Sequence, residues 1–176
     1  MYSMQVLIIP PVNHSDFDII VTDGTNAVQG ATVTISTNTT TTDSNGKVHY
    51  EDIDDGSTSV SVTKTGFQDK TTTITVGSAS SFTIALTPVG TLTVTVTDSE
   101  DEPSAISGAT VVIGDTTKTT DANGKAEFPN LTYEDKSATI SADGYTTKTE
   151  TLAFRSNHKS FTVALVEAEA EQQGDG

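Results

Sequence analysis

The chain of 176 residues contains no cysteine and no tryptophan. Without cysteine there is neither a disulfide staple nor a thiolate metal site. Aromatic residues make up only 6% of the chain. Any core must therefore be built from Val, Ile and Leu with single Phe or Tyr residues. Basic residues are also scarce, 9 Lys and Arg against 24 Asp and Glu, for a formal charge of -15. That balance argues against nucleic acid and anionic membrane as partners, since both require a basic patch. It suits a well-solvated surface or docking onto a basic one. No apolar run approaches the roughly 20 residues that span a bilayer as a helix. No amphipathic helical pattern of useful length occurs either. What is plentiful is threonine, followed by Ser and Val, and the β-branched side chains of Thr, Val and Ile suit a pleated, half-buried surface.

The chain says the same thing twice. Gly30-Ala31-Thr32-Val33 recurs as Gly108-Ala109-Thr110-Val111. Thr42-Asp43-Ser44-Asn45-Gly46-Lys47 recurs as Thr120-Asp121-Ala122-Asn123-Gly124-Lys125. Gly66-Phe67 recurs as Gly144-Tyr145, and Phe82 to Leu86 as Phe161 to Leu165. Two diverged copies of one small domain are the organising fact. The expected division is an arm at 1–15, domains at 16–88 and 89–167, and a polar tail at 168–176. Domains of this size bury a modest share of their surface and are marginally stable alone. Pro88-Val89-Gly90 reads as the linker. So short a joint predicts a rod in preference to a flexible pair.

Within each copy the strands follow from period-two alternation. Phe17 to Thr22 reads as a first strand, Ala31 to Ser36 alternates apolar and polar, and Thr58 to Lys64 alternates around Val60 and Val62. Thr71 to Val76 and Ser81 to Thr87 complete the first copy. Asn45-Gly46 and Asn123-Gly124 supply the positive φ of a tight turn and predict hairpins there. The second copy offers Leu92, Val94, Val96, Val111, Ile113, Phe128, Leu131, Ile140, Leu152, Phe154, Phe161, Val163 and Leu165 as its apolar set. Seven short strands per copy, punctuated by Gly, Asn and Asp, predict an all-β chain of two tandem antiparallel β-sandwich domains with an extended N-terminal arm.

The motif order is Gly-Ala-Thr-Val, Thr-Asp-x-Asn-Gly-Lys, an aromatic, then Gly-Phe or Gly-Tyr. It resembles the carboxypeptidase-regulatory-like domains, close to the Cna protein B-type repeats. The resemblance covers 17–87 and 91–166. It implies an Ig-like, transthyretin-like sandwich, with Tyr50 and Phe128 plugging the core after the turn. It also implies use as spacer, stalk or attachment module. Some members of the related family cross-link a first-strand Lys to a last-strand Asn or Asp. The first strands here hold no Lys and the last hold no Asn or Asp, so neither copy is expected to form that bond.

Little in the chain points to chemistry. His14, His49 and His158 are scattered, and a metal site needs converging ligands. No Ser-His-Asp grouping and no glycine-rich phosphate loop is suggested. The runs Glu51-Asp52-Ile53-Asp54-Asp55 and Asp98-Ser99-Glu100-Asp101-Glu102 carry the oxygens that Ca²⁺ prefers, but neither has the spacing of a calcium loop. They also fall at different points of the repeat. The expectation is no enzyme, no cofactor and no metal. Asn13-His14-Ser15, Asn38-Thr39-Thr40 and Asn130-Leu131-Thr132 match the glycosylation pattern, which a Thr-rich chain produces by chance.

The sharpest functional candidate is the arm. Val6, Leu7, Ile8 and Ile9, followed by Pro10 and Pro11, have no counterpart in the second copy. An apolar tetrad needs a partner surface, and two prolines hold the segment extended. The segment before Pro10 lacks a basic flank and a cleavage site, so it does not read as a signal peptide. Together these predict a non-enzymatic structural or attachment protein. The leading setting is a virion surface, as a capsid decoration or fibre protein anchored by the arm to a capsid or other protein lattice. The alternative is a spacer or adhesin repeat of a bacterial or archaeal cell-surface protein. A homo-oligomer and a host-surface or glycan ligand stay open as partners.

Overall fold

The computed structural model describes residues 12–157 and 159–169. The chain divides between Thr87 and Pro88 into two units. Unit 1 holds β1 (His14–Thr22), β2 (Thr32–Ile35), β3 (Asn38–Thr41), β4 (Lys47–Asp54), β5 (Gly56–Thr63), β6 (Lys70–Val76) and β7 (Ser81–Ala85). Unit 2 holds β8 (Val89–Asp98), β9 (Thr110–Ile113), β10 (Thr116–Thr119), β11 (Lys125–Thr132), β12 (Asp135–Ser141), β13 (Lys148–Ala153) and β14 (Lys159–Leu165). There is no helix among the described residues. Each unit has a three-stranded sheet, β4-β1-β7 or β11-β8-β14, and a four-stranded one, β3-β2-β5-β6 or β10-β9-β12-β13. Apolar positions of both sheets meet in a single core per unit.

The all-β, two-sandwich expectation holds, and three details differ from it. The final strand of each unit pairs parallel with the first, Ile19 opposite Phe82 and Val94 opposite Phe161. Alternation tells which face of a strand is buried, and it carries no information about the direction of the neighbour. Asn45-Gly46 and Asn123-Gly124 do not close hairpins. The strands on either side belong to different sheets, β3 pairing with β2 and β4 with β1. The turn is therefore a crossing from one layer to the other. Finally, Val89 and Gly90 are residues of β8, paired with Thr132 and Leu131, and His14 and Ser15 belong to β1.

The two cores place their bulk differently. In unit 1 the Phe17 ring stacks on Tyr50 at 5.7 Å and meets Phe82 edge-on at 5.5 Å. In unit 2 the position of Phe17 is taken by Leu92 and that of Val76 by Phe154, and all four side chains are buried. Phe154 packs edge-on to Tyr133 at 5.5 Å. The phenylalanine sits on one wall of the sandwich in unit 1 and on the other in unit 2, and the paired sums differ by about one methylene.

The crossing turn dictates its glycine. Gly46 has φ +70° and Gly124 φ +70°. A Cβ at Gly124 would stand 2.5 Å from the Val96 carbonyl oxygen, and one at Gly46 would overlap that of Val21. Both glycines also present their own carbonyl to the first strand, accepting from Val21 N at 2.8 Å and Val96 N at 2.7 Å. Gly66, at φ +86°, has open space around it. Gly66→Ala is therefore expected to cost about 1 kcal/mol of conformational strain alone. Gly46→Ala and Gly124→Ala are each expected to cost more than about 3 kcal/mol, because strain adds to a broken backbone contact. Urea melts of the three variants check the ranking, and equal costs would contradict it.

Candidate interaction surfaces

The best-defined polar groups of both units surround the crossing turn. Thr42 and Thr120 are the buried polar residues of the described chain, 4% and 5% exposed. The Thr42 hydroxyl donates to the Val28 carbonyl at 2.6 Å and accepts from Ala31 N at 2.9 Å. Thr120 does the same with Ile106 and Ala109. Asp43 then caps the turn. Its Oδ1 accepts from the backbone N–H of Asn45 and of Lys47, both at 2.8 Å. Asp121 repeats this with Asn123 and Lys125. Those donors hold both carboxyls below the usual carboxylate range, the amides of Lys47 and Lys125 most strongly.

A second polar cluster lines the outside of the β1–β4 ladder. Asp18 sits between the Lys47 ammonium at 2.7 Å and His49 Nδ1 at 2.8 Å. Hydrogen bonds from Lys47 and then His49 lower its pKa. His14 Nε2 lies 2.8 Å from Asp54, and the Ser15 hydroxyl donates to Asp55 at 2.6 Å. A shallow groove of about 570 Å³ between Thr37–Thr40 and His49–Glu51 opens beside this ladder. Tyr50 forms part of its wall, donates to the Val33 carbonyl at 3.1 Å, and has its pKa raised by burial. His49 engages the carboxylates of Asp18 and Glu51 here, and among the described residues no hydroxyl is bonded to it.

The acidic run at 51–55 is thereby dispersed. Asp52 lies at φ +57° in a bulge, its N–H bonded to Asp16 at 2.9 Å. Asn130 takes the same left-handed place in unit 2 at φ +59°. Asp98 caps Ser104 N at 2.9 Å. Among the described residues no three His, Asp or Glu side chains converge at metal distance. Of the glycosylation patterns, Asn38 opens the exposed strand β3, Asn130 sits on the bulge, and Asn13 precedes β1. Val6 to Pro11 and His158 lie outside the described residues.

Sequence reasoning passed over one surface. The outward face of the sheet β3-β2-β5-β6 carries Thr39 and Thr41, Thr32 and Thr34, Ser57, Ser59, Ser61 and Thr63, and Thr71, Thr73 and Thr75. It holds hydroxyls only, with Thr34 and Thr39 in contact at 3.1 Å. The matching face of unit 2 is similar, with Thr139 and Thr149 at 3.2 Å, but includes Val112 and Asp135. The alternation that revealed the strands also contained this face, in its polar phase.

The model of the carboxypeptidase regulatory-like domain matches residues 19–87 and 91–167. The chain belongs to this family. Comparison with curated proteins finds no match. Among solved structures, this pair of carboxypeptidase regulatory-like domains is similar to the Bacillus anthracis TIE protein, at 17% identity over 88% of this chain and 34% of that one, TM-score 0.42. It is similar to the streptococcal ancillary pilin at 13% identity, covering 89% and 63%, TM-score 0.42. It is also similar to GBS52, the minor pilin of Streptococcus agalactiae, at 11% identity, covering 93% and 100%, TM-score 0.43. The chain thus spans about a third of the first of these and 63% of the second.

Two predictions follow from the crossing turn of these domains. Thr42→Val keeps the shape but leaves the Val28 carbonyl and the Ala31 amide unpaired in the core, at a cost of about 2–4 kcal/mol, whereas Thr42→Ser retains most of the stability. Denaturant midpoints of the two variants decide it. The second concerns acid. A carboxyl held below its unfolded value stabilises the fold fully above that value and loses the contribution as pH falls through the folded one. Stability is therefore expected to decline below about pH 4, and Asp43→Asn with Asp121→Asn to flatten the decline. Melting curves between pH 7 and pH 2 measure it.

Proposed function

We propose that the chain is a non-enzymatic structural module of a cell-surface assembly, a spacer or attachment segment outside the cell. One observation carries this reading. The most geometrically defined polar groups, Thr42 with Asp43 and Thr120 with Asp121, are turned onto the chain's own backbone in both units. Among the described residues the outward-facing groups do not assemble a nucleophile, base and orienter in one place, the arrangement that covalent catalysis requires. Membership of a family of non-catalytic accessory domains agrees with it. So does a charge of -15, which keeps an exposed module solvated.

The arm serves in this proposal as the anchor. Val6, Leu7, Ile8 and Ile9 add as an extended segment to a partner's sheet, with Pro10 and Pro11 keeping them off their own domain. A virion surface is the other setting for an arm-anchored module, and no described residue favours it over a cell surface. Immunogold labelling of intact producing cells is expected to mark the cell surface. Label confined to virus particles would reverse the choice of setting. Deletion of residues 1–11 is expected to leave the melting temperature unchanged and to abolish attachment. Full attachment by the truncated chain would remove the arm from the proposal.

A further inference from the structure

The two copies differ at one end of the sandwich in a way that turns a filled space into an open one. In unit 1 Lys64 follows β5, and its ammonium donates to the Gly30 carbonyl at 3.1 Å. A Cβ on Gly30 would meet that ammonium at 3.0 Å. Two residues before Gly30, Val28 is buried, 6% exposed. At the corresponding positions unit 2 has Ala142, Gly108 and Ile106. A Cβ on Gly108 would meet nothing within 4 Å, and Ile106 is only half-buried. Among the described residues no side chain replaces Lys64 on the Gly108 carbonyl. The space is a groove of about 810 Å³ lined by Ile106, Gly108, Ser141, Ala142, Asp143 and Tyr145.

The lining is what the missing side chain would want. The Gly108 carbonyl is the acceptor that the ammonium used in unit 1. Asp143, where unit 1 has Thr65, adds a carboxylate to the rim. Tyr145 lines the groove and supplies an aromatic ring whose face attracts a cation. Ile106 offers the apolar floor on which an aliphatic stem lies, as lysine stems do on apolar surfaces. A stem and an ammonium together are required to restore what Lys64 provides.

We propose that this groove of unit 2 binds the lysine side chain of a partner protein, the group that unit 1 supplies from within. The occupant is a protein lysine because the chain itself carries 24 acidic residues against 9 basic ones. That field draws in a basic protein surface and repels a second copy of this chain.

The test uses the full isotope-labelled chain and two tripeptides, acetyl-Gly-Lys-Gly-amide and its norleucine counterpart, followed by NMR amide shifts. The lysine peptide is expected to give saturable shifts at Gly108, Ser141 and Tyr145. The norleucine peptide is expected to bind at least about tenfold more weakly, since it lacks the charge-assisted hydrogen bond. Ala142→Lys, which rebuilds the unit 1 arrangement, is expected to abolish the response with the rest of the spectrum unchanged. Lys64→Ala is expected to create a matching response at Gly30 and Phe67. The proposal is overturned by the absence of any response to the lysine peptide, or by equal responses to both peptides. Shifts confined to Asp98–Glu102, or an undiminished response in Ala142→Lys, overturn it as well.

Discussion

Each unit hangs on one buried hydroxyl. Around Thr42 the chain passes from the four-stranded sheet to the three-stranded one, and a backbone making that passage leaves polar groups inside the core. Four hydrogen bonds at this residue absorb them. The hydroxyl bridges the Val28 carbonyl and the Ala31 amide, and the Thr42 backbone exchanges bonds with Gly30 and Ala31. A serine or threonine is the smallest side chain that donates and accepts at once. The next residue, Asp43, holds the turn, and Gly46 delivers its carbonyl to β1. Three layers of contact thus depend on one hydroxyl being present at the right spacing from Gly30-Ala31.

The rest of the core follows from that anchor. With the turn seated, Tyr50 and Phe128 enter the core at the same distance beyond Gly46 and Gly124. The walls opposite them are freer. Phe17 and Val76 in one unit correspond to Leu92 and Phe154 in the other, an exchange that changes the summed volume by about one methylene and loses no hydrogen bond. Packing of this kind tolerates substitution as long as the sum is nearly kept. A crossing built on directional bonds does not, which accounts for its near-identity in the two copies.

The same distinction separates what was legible in the sequence from what was not. The strands were legible, because alternation of Val and Ile with Thr and Ser is a direct image of a half-buried sheet. The glycine of the turn was legible too, since Asn-Gly demands positive φ. Its setting was not. A hairpin and an inter-layer crossing share that dipeptide, and only the partners of β3 and β4 tell them apart. The parallel pairing of β7 on β1 was invisible for a like reason. The buried threonines were hidden in a chain full of exposed ones. Their sole mark was recurrence before Asp in both copies. The acidic run at 51–55 read as one cluster, but alternation of side chains and a left-handed Asp52 send its members to different neighbours.

Duplication within one chain supplies its own control. Where the copies agree, at Thr42 and Thr120 or Gly46 and Gly124, the residues answer to mechanics that any such sandwich must satisfy. Where they part while the backbone stays the same, mechanics is not the constraint. At the end of the sandwich beside Gly30 and Gly108 the first copy carries Lys64, whose ammonium reaches the Gly30 carbonyl. The second carries Ala142, Asp143 and Thr147, which leave one negative charge beside an open acceptor. The turn that follows is nevertheless the same in both, with Phe67 N bonded to the Lys64 carbonyl at 3.0 Å and Tyr145 N to that of Ala142 at 3.1 Å. The second unit, with Ala142 in place of the lysine, therefore keeps the backbone contact at this turn. The change falls on a surface free to serve something other than the fold.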